Sequence, residues 1–215
     1  NLDASELNNR IYVPEGPDCG DNSGQFGTRD VDGAKALLEG AGYTMGDDGI
    51  YKDADGERLS LRLGRRDPQE RRQKTNELFA EQCKEAGIEL TDDPAADMNS
   101  VRLPASDYDI ILFAWVANPL LSSSKSIYVA GGGQNYNSIN IPELEDLFNQ
   151  ANAEFDPAKR AELMNQIDSL LWENMATLPL FQFQNMAAYS DTLSNVFFND
   201  PAGITWNANE WAIAA

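Results

Sequence analysis

Residues 108–128 read YDIILFAWVANPLLSSSKSIY and join an apolar half to a polar one. From residue 110 to residue 117 the chain is apolar without interruption, which indicates a strand buried on both faces, as in a parallel sheet. The second half contains Asn-Pro, a run of serines and a lysine, and this composition is typical of a loop. The stretch therefore predicts a central buried strand over residues 108–115 and a loop that continues to residue 140.

Helix and strand signals alternate on both sides of this strand. Each predicted helix begins at a capping residue or a proline and repeats its apolar side chains at helical spacing: after Asp30, over residues 68–86, after Pro142 and after Asp156. Leu59, Leu61 and Leu63 alternate with polar residues, which indicates a strand with one buried face. The alternation predicts an α/β fold whose mostly parallel sheet is flanked by helices.

The charge balance and the residue content argue against several functions. The chain has 215 residues with 35 acidic and 16 basic side chains, a formal net charge of −19. Nucleic acid is not expected as a partner, because phosphate contacts need lysine and arginine. The absence of histidine removes the commonest general base and the commonest metal ligand. No cofactor motif stands out, and no apolar run reaches the roughly 20 residues that span a membrane.

Short motifs that suggest ion or phosphate binding lack the required spacing. In the stretch DDGIYKDADGE, setting Gly56 at the sixth position of a calcium loop puts Tyr51 at the first, where a ligand is needed. The stretch GGGQNY at residues 131–136 lacks the GxGxxG pattern of a phosphate loop. The predicted structures of these segments are therefore an acidic hairpin and a flexible loop.

The two cysteines leave their pairing open. Cys19 lies in a predicted loop, and Cys83 lies on the apolar face of the helix predicted over residues 68–86. One interpretation is a loop thiol and a buried thiol. The other is a disulfide between them, which an oxidising compartment would permit.

Trp115 is the residue that most suggests a binding site. It ends the predicted central strand, and in open α/β sheets ligands bind beyond the carboxyl ends of the strands. An aromatic face there, with the amide of Asn118 close behind it in the sequence, suits a small molecule or a peptide. A core tryptophan followed by a turn fits these residues equally well.

The order of motifs along the chain resembles a known family. DVDGAKALLEGAGY, DGIYKDADGERLSLRL, LFAEQCKEAGIEL, YDIILFAW and the long segment from NYNSINIPELEDL to LPLFQF follow one another with matching spacing. They resemble the carboxyl-terminal part of the peptide/nickel class, family 5, of ABC-transporter extracellular solute-binding proteins, and the actinobacterial members most of all. The resemblance implies a periplasmic-binding-protein-like lobe, incomplete here, of a larger receptor that encloses its ligand between two lobes. It also implies that residues 1–188 belong to the second lobe and that residues 189–215 form a tail that returns to the first.

The same resemblance implies a function without catalysis. The receptor would bind a peptide or peptide-like solute outside the cytoplasm, as a membrane-anchored lipoprotein, and deliver it to the membrane permease of an ABC importer. Peptide-binding members carry an aspartate just after the tryptophan strand, where it pairs with the amino terminus of the ligand. Here that position falls at or near Asn118, and an amide cannot replace the charge pair. The residues expected to face the cleft are Trp115, Ala117, Asn118, Ser122, Ser123, Asn135 and Tyr136.

Two other functions stay open at this point. An α/β hydrolase-like enzyme would need a cluster of titratable groups in a pocket, which a serine paired with Lys125 or a pair of carboxylates could supply. An acidic protein-interaction domain would instead meet a basic partner in a complex that weakens as salt is added.

Overall fold

The computed structural model describes residues 5–115, 121–183, 186–199 and 202–213. The chain divides into two compact units: a sheet unit, Thr28–Ala114, and a helical unit that combines Asn1–Gly27 with Trp115–Ala215. The expected division into residues 1–188 and 189–215 concerns the lobes of the whole receptor and stays a prediction. None of the described helices combines the length and the apolar character that crossing a membrane requires.

Helices and strands alternate along the described parts of the chain. The helices are α1 (Val31–Gly40), α2 (Glu70–Glu85), α3 (Lys125–Tyr128), α4 (Pro142–Ala153) and α5 (Pro157–Glu173). The strands are β1 (Ser5–Glu6), β2 (Thr44–Met45), β3 (Tyr51–Lys52), β4 (Ser60–Arg66), β5 (Glu89–Ala95), β6 (Ile110–Ile111), β7 (Phe181–Gln182), β8 (Leu193–Ser194) and β9 (Ala212–Ile213). Short 3-10 turns cover Gly24–Gly27, Leu121–Ser124 and Ile204–Glu210, and a π-helical turn covers Met98–Arg102.

The sheet unit is built on a parallel sheet of three strands in the order β5-β4-β6. Leu63 of the central strand β4 lies opposite Asp92 of β5 and opposite Ile110 of β6. Along β4 the leucines turn inward and their polar neighbours outward, as the alternating pattern predicts. At Gly64 an added Cβ would come within 3.1 Å of the Met98 methyl group, so the strand passes this point without a side chain. The predicted parallel sheet with flanking helices is confirmed.

The strand predicted over residues 108–115 is shorter than expected and is not central. It forms only over Ile110–Ile111, beside β4, and its side chains are half-buried rather than buried on both faces. Its pairing ends where the Leu112 amide donates to the Gly64 carbonyl at 2.9 Å. An apolar run shows that side chains can be buried, but a central strand needs a neighbour on each side. Among the described strands, β6 has a neighbour on one side.

The helices of the sheet unit begin close to the predicted residues. Asp30 caps α1 by accepting a hydrogen bond from the Gly33 amide at 2.8 Å. α2 ends at Glu85, shortly before Gly87, which has the positive φ of 82° that a helix terminus favours. Their predicted apolar faces are only partly covered, because Leu37 is 76% exposed and Leu78 is 57% exposed.

The helical unit has its core around α4 and α5. Pro142 opens α4, and Asp156 caps α5 by accepting hydrogen bonds from the Ala158 and Lys159 amides, as the sequence predicts. The buried side chains of this core are Tyr128, Val129, Ile139, Leu144, Phe148, Ala151, Met164, Ile167 and Leu171. Phe155 fits the apolar pattern of α4 but lies beyond its last residue and is 95% exposed.

The loop predicted after residue 115 contains short helical structure instead. The turn Leu121–Ser124 runs directly into α3, which buries Tyr128 in the core. The hydroxyl of Ser126 donates to the Ser123 carbonyl at 2.9 Å. A run of serines predicts a loop, but a serine hydroxyl can also hydrogen-bond to the backbone of the preceding turn and stabilise it.

Two short antiparallel pairs lie in the helical unit, β1 with β7 and β8 with β9. The second pair belongs to the tail. There the buried side chain of Asn207 donates to the Asn195 carbonyl at 2.7 Å and accepts from Trp211 Nε1 at 3.1 Å. The described part of the tail therefore has hydrogen bonds of its own.

Both cysteines are free thiols in the structure, Cys19 in the helical unit and Cys83 on α2 in the sheet unit. Partial burial raises the pKa of each thiol, and nearby carboxylates raise that of Cys19 further. We expect both thiols to react with a thiol reagent in denaturant without reductant, and to react slowly in the native protein. Denatured protein without a titratable thiol would contradict this result and would establish the disulfide.

Candidate functional site

The structure brings two of the predicted cleft residues into contact. The rings of Trp115 and Tyr136 are stacked, with their centroids 5.9 Å apart and their planes 3° from parallel. This separation corresponds to an offset stack, which is a favoured arrangement of aromatic rings. Trp115 remains 40% exposed. We call this pair the aromatic platform.

Asn135 holds the loop that carries Tyr136. Its side-chain nitrogen donates to the carbonyls of Val129 and Ile139 at 3.1 and 2.8 Å. Its side-chain oxygen accepts from the Ile139 amide at 2.9 Å. The amide group expected to face a ligand is therefore engaged by the backbone of residues 129–139. In the structure Asn135 positions Tyr136, since an asparagine side chain can satisfy carbonyl and amide groups together.

Asn135→Ala is expected to loosen this loop and to speed hydrogen exchange of the Ile139 amide by roughly fivefold, because a single hydrogen bond contributes about 1 kcal/mol. Exchange measured by mass spectrometry on peptides that cover residues 129–140 would test it. Asn137→Ala is the matched control, since Asn137 makes one hydrogen bond, to the Ala176 carbonyl. Equal exchange in wild type and Asn135→Ala would contradict the positioning role.

A depression of about 330 Å³ opens beside Asn135. It is lined by Ala130, Gly131, Gly132, Asn135, Ser138, Ile139 and Asn140. At Gly132 a Cβ would lie 2.3 Å from the Ser126 carbonyl oxygen, so α3 and the loop approach each other more closely than a side chain allows. The segment predicted as a flexible loop is thus held against α3, and the Gln134 amide adds a hydrogen bond to the same carbonyl at 3.0 Å.

The other predicted site residues lie on the turn before α3 or outside the described residues. Ser122 is exposed and Ser123 is half-buried on this turn. Ala117 and Asn118 lie outside the residues that the structure describes. In the described ranges, no group of three or more acidic or cysteine side chains is placed to hold a metal ion.

Lys125 is engaged by α4. Its ammonium group donates to Asn149 Oδ1 at 2.8 Å and lies 3.4 Å from a carboxylate oxygen of Glu145. These contacts direct the lysine toward α4. They leave little support for its use as a base for a neighbouring serine.

A buried ion pair, which sequence reasoning missed, ties the amino-terminal segment to α5. Arg10 Nη1 lies 3.2 Å from Asp168 Oδ1, and both side chains are almost fully buried. Arg10 also donates from Nε to Thr177 Oγ1 at 2.7 Å and lies 4.3 Å above the ring of Trp172. Burial lowers the pKa of Arg10, and the charge of Asp168 opposes that shift. The sequence did contain one sign of this pair, because Asp168 lies between Ile167 and Leu171 on an apolar helix face.

Amide side chains extend this contact. Asn165 Oδ1 accepts from Asn9 Nδ2 at 2.9 Å, from Asn22 Nδ2 at 3.0 Å and from the Gly20 amide at 3.1 Å. Burial raises the pKa of Tyr128 in α3 to about 12, and the charges of Arg10 and Asp168 act on it in opposite directions. Hydrogen bonds and the ion pair therefore join the segment before residue 24 to α5, and α3 packs in the same core as α5 through Tyr128. Val129, which directly follows α3, supplies a carbonyl to the Asn135 clamp.

Comparison with known proteins places the chain among binding proteins. The model of bacterial extracellular solute-binding proteins, family 5 (middle), matches residues 5–138. The oligopeptide-binding protein OppA of Mycobacterium tuberculosis is 30% identical over 196 residues, which cover 90% of this chain and 32% of OppA. An uncharacterized lipoprotein of the same organism is 28% identical over 193 residues, covering 86% of this chain and 34% of that protein. The chain thus spans about a third of the length of these curated relatives.

The fold is also that of a periplasmic binding protein. The solved structure of the periplasmic EDTA-binding protein EppA matches with a TM-score of 0.86 at 21% identity, over 99% of this chain and 40% of EppA. The expected fold class, a part of a larger α/β receptor, is thereby confirmed. The family model covers more than half of the chain, so the chain belongs to the bacterial extracellular solute-binding proteins of family 5.

Proposed function

We propose that the whole protein is the solute-binding component of an ABC importer, which captures a peptide or peptide-like solute and delivers it to a membrane permease. The observation that carries the proposal is the aromatic platform, held by an ordered loop in a chain of this family. The name of the matched OppA, an oligopeptide-binding protein, supports a peptide as the solute.

The platform would supply contact that depends little on the identity of the solute. Its partly exposed stacked rings present a flat apolar surface, on which a side chain or a planar peptide group can lie. Ser122 and Ser123 could add hydroxyl groups that both donate and accept hydrogen bonds. Sites for small ligands typically combine aromatic surface with a few such polar groups.

Capture in this proposal needs the first lobe of the whole receptor as well. A solute that bridges both lobes stabilises the closed state, and the permease recognises that state. The solute can shift the equilibrium only by as much as it prefers the closed form. Because the contacts from the first lobe are missing, this chain alone is expected to bind solute weakly.

Ala117 and Asn118 are proposed to face the same solute. Since an amide at or near residue 118 cannot form the charge pair expected of an aspartate, the solute either has no free amine at this point or holds it against another group. In the first case, amino-terminally acetylated peptides should bind about as well as unmodified ones, and in the second they should bind more weakly.

The proposal also covers where the receptor works and what it meets. The family is described as extracellular, and one matched relative is named a lipoprotein. We infer an extracytoplasmic receptor that is anchored to the membrane by a lipid in its full-length form. Residues 189–215 would return to the first lobe, which would cover the exposed rings of Tyr189, Phe197 and Trp206.

The enzyme alternative has less support. Lys125 is directed toward α4, and the curated relatives that match are named as a binding protein and a lipoprotein. Turnover of any member of a broad ester and peptide panel by the purified protein would favour that alternative.

Native mass spectrometry of the full-length receptor, purified from its own host, tests the proposed function. We expect an additional mass that is released on denaturation and that fragments as a peptide or a peptide-like compound. The control is the same receptor unfolded, washed and refolded, which should regain the mass when a peptide library is added. A bare protein mass in both samples, without thermal stabilisation by the library, would contradict the proposal.

A further inference from the structure

Two segments that carry predicted ligand-facing residues meet at Ser126 of α3. The turn Leu121–Ser124, which we call the serine turn, carries two of these residues and runs directly into α3. The loop of residues 131–136 carries Tyr136 and lies against the same helix. Ser126 therefore stands between the serine turn and the aromatic platform.

Ser126 contacts the two segments through different groups. Its hydroxyl donates to the Ser123 carbonyl at 2.9 Å, which ties α3 to the serine turn. Its own carbonyl accepts a hydrogen bond from the Gln134 amide at 3.0 Å, which ties α3 to the loop. The hydroxyl oxygen also lies 3.3 Å from Oε1 of Gln134. A serine can make such contacts because its short side chain reaches the backbone close by.

Gly132 allows the loop to lie directly on the backbone of α3. A Cβ at this residue would lie 2.3 Å from the Ser126 carbonyl oxygen and 2.9 Å from the Val129 carbonyl oxygen. Both atoms belong to the backbone, so no side chain can rotate away to make room. A Cβ at Gly133, in contrast, would meet open space. Packing therefore requires a glycine at residue 132 and does not require one at residue 133.

Other contacts fix α3 so that the loop, and not the helix, would yield to a side chain at residue 132. Tyr128 buries its ring in the core of the helical unit. Lys125 donates to Asn149 Oδ1 of α4 at 2.8 Å. A displaced loop would carry the ring of Tyr136 with it, away from its stacked position on Trp115.

We propose that the contact of Gly132 with Ser126 positions the ring of Tyr136 and joins the aromatic platform and the serine turn into one solute-binding surface. The Asn135 clamp fixes the shape of the loop, whereas this contact fixes the loop on α3. Binding groups need such backing, because a loosely held contact surface binds poorly. Gly132 and Ser126 are thus positioning residues that act through Tyr136, and the identity of the solute rests on the proposed function.

Gly132→Ala in the full-length receptor tests the proposal, and Gly133→Ala is its matched control. Fluorine NMR of receptor labelled with fluorotyrosine reports the surroundings of Tyr136, whose signal is the one that Tyr136→Phe removes. We expect Gly132→Ala to shift this signal, because the ring moves relative to Trp115. Gly133→Ala should leave the signal in place. An unmoved signal in Gly132→Ala, or equal shifts in both variants, would overturn the proposal.

The apparent affinity for a synthetic peptide library measures the consequence for binding. Gly132→Ala should weaken it by roughly tenfold, as expected where overpacking displaces a contact residue, and Gly133→Ala should not. If the loss passes through Tyr136, Gly132→Ala should weaken binding little further in a Tyr136→Ala background. Losses that add in the double variant would assign Gly132 to general stability and overturn its positioning role.

Ser126→Ala provides the test if Gly132→Ala does not fold. It removes the hydroxyl bond to Ser123 and should weaken the apparent affinity by roughly fivefold, whereas Ser126→Thr, which keeps a hydroxyl, should restore it. Ser169→Ala is the control, because the Ser169 hydroxyl donates to the Asn165 carbonyl at 3.0 Å within α5. Equal losses in Ser126→Ala and Ser169→Ala, or no rescue by threonine, would overturn the proposal.

The outcomes separate this proposal from the proposed function. A shift of the Tyr136 signal in Gly132→Ala but not in Gly133→Ala, in a receptor that captures no peptide, would contradict the peptide function and support the positioning. Equal capture of the library by wild type, Gly132→Ala and Ser126→Ala would support the function and overturn the positioning.

Discussion

Asp168→Ala is expected to lower the free energy of unfolding by about 3–5 kcal/mol, because it leaves the buried charge of Arg10 without its partner. Both side chains of the pair are almost fully inaccessible to water. Asp168 Oδ2 also accepts a hydrogen bond from Asn22, so the same substitution frees a second polar group of the amino-terminal segment. Urea denaturation followed by circular dichroism would measure the change.

Glu162→Ala is the matched control, since Glu162 lies exposed on the same helix. It should change the free energy of unfolding by less than about 0.5 kcal/mol. A double-mutant cycle with Arg10→Met would isolate the coupling of the pair, which we expect to be favourable. Similar losses in Asp168→Ala and Glu162→Ala would mean that the ion pair does not hold the amino-terminal segment.

Trp115→Ala in the full-length receptor is expected to weaken solute binding by roughly 30-fold or more, the loss typical of a central aromatic contact of about 2 kcal/mol. The substitution removes the exposed half of the platform and leaves the ring of Tyr136 without its stacking partner. Isothermal titration with the solute that the receptor captures would give the dissociation constants.

Trp115→Phe should retain most of the affinity, since a smaller ring can still stack on Tyr136. Phe155→Ala is the control for the loss of an exposed aromatic side chain in the same unit. Unchanged affinity in Trp115→Ala would show that Trp115 is not part of the binding site.

Local chemistry made the helices predictable. A carboxylate that can accept amide hydrogen bonds marks where α1 and α5 begin, and proline marks the start of α4. Apolar spacing identified most of the core of the helical unit, including Phe148 and Ile167. Phe155 continues the apolar spacing of α4 but lies beyond its last residue, because a helical pattern does not say where the helix ends.

The position of a strand in the sheet was less predictable. The apolar run after residue 108 predicted the central strand, but that place is held by β4, whose sequence includes arginines. Arg65 is buried there in ion pairs with Asp67 and, across the sheet, with Asp92 of the neighbouring strand. Hydrophobicity alone cannot report such a partner, which is distant in the sequence.

The contacts of the candidate site were also hard to predict, because they depend on residues that the fold brings together. Trp115 and Tyr136, both expected to face the cleft, stack on each other, and their role in binding stays a prediction. Asn135 was expected to contact the ligand, and the structure gives it a backbone role that depends on loop geometry. The pairing of Arg10 with Asp168 joins residues far apart in the chain, so only the apolar setting of the acid pointed to it.

The most direct test of the central claim is a crystal structure of the full-length receptor with the solute that it captures. The account predicts that the solute lies against the ring of Trp115, within about 4.5 Å of its atoms, with Tyr136 still stacked behind it. A solute bound elsewhere, with the aromatic platform exposed to solvent in the closed receptor, would contradict the account.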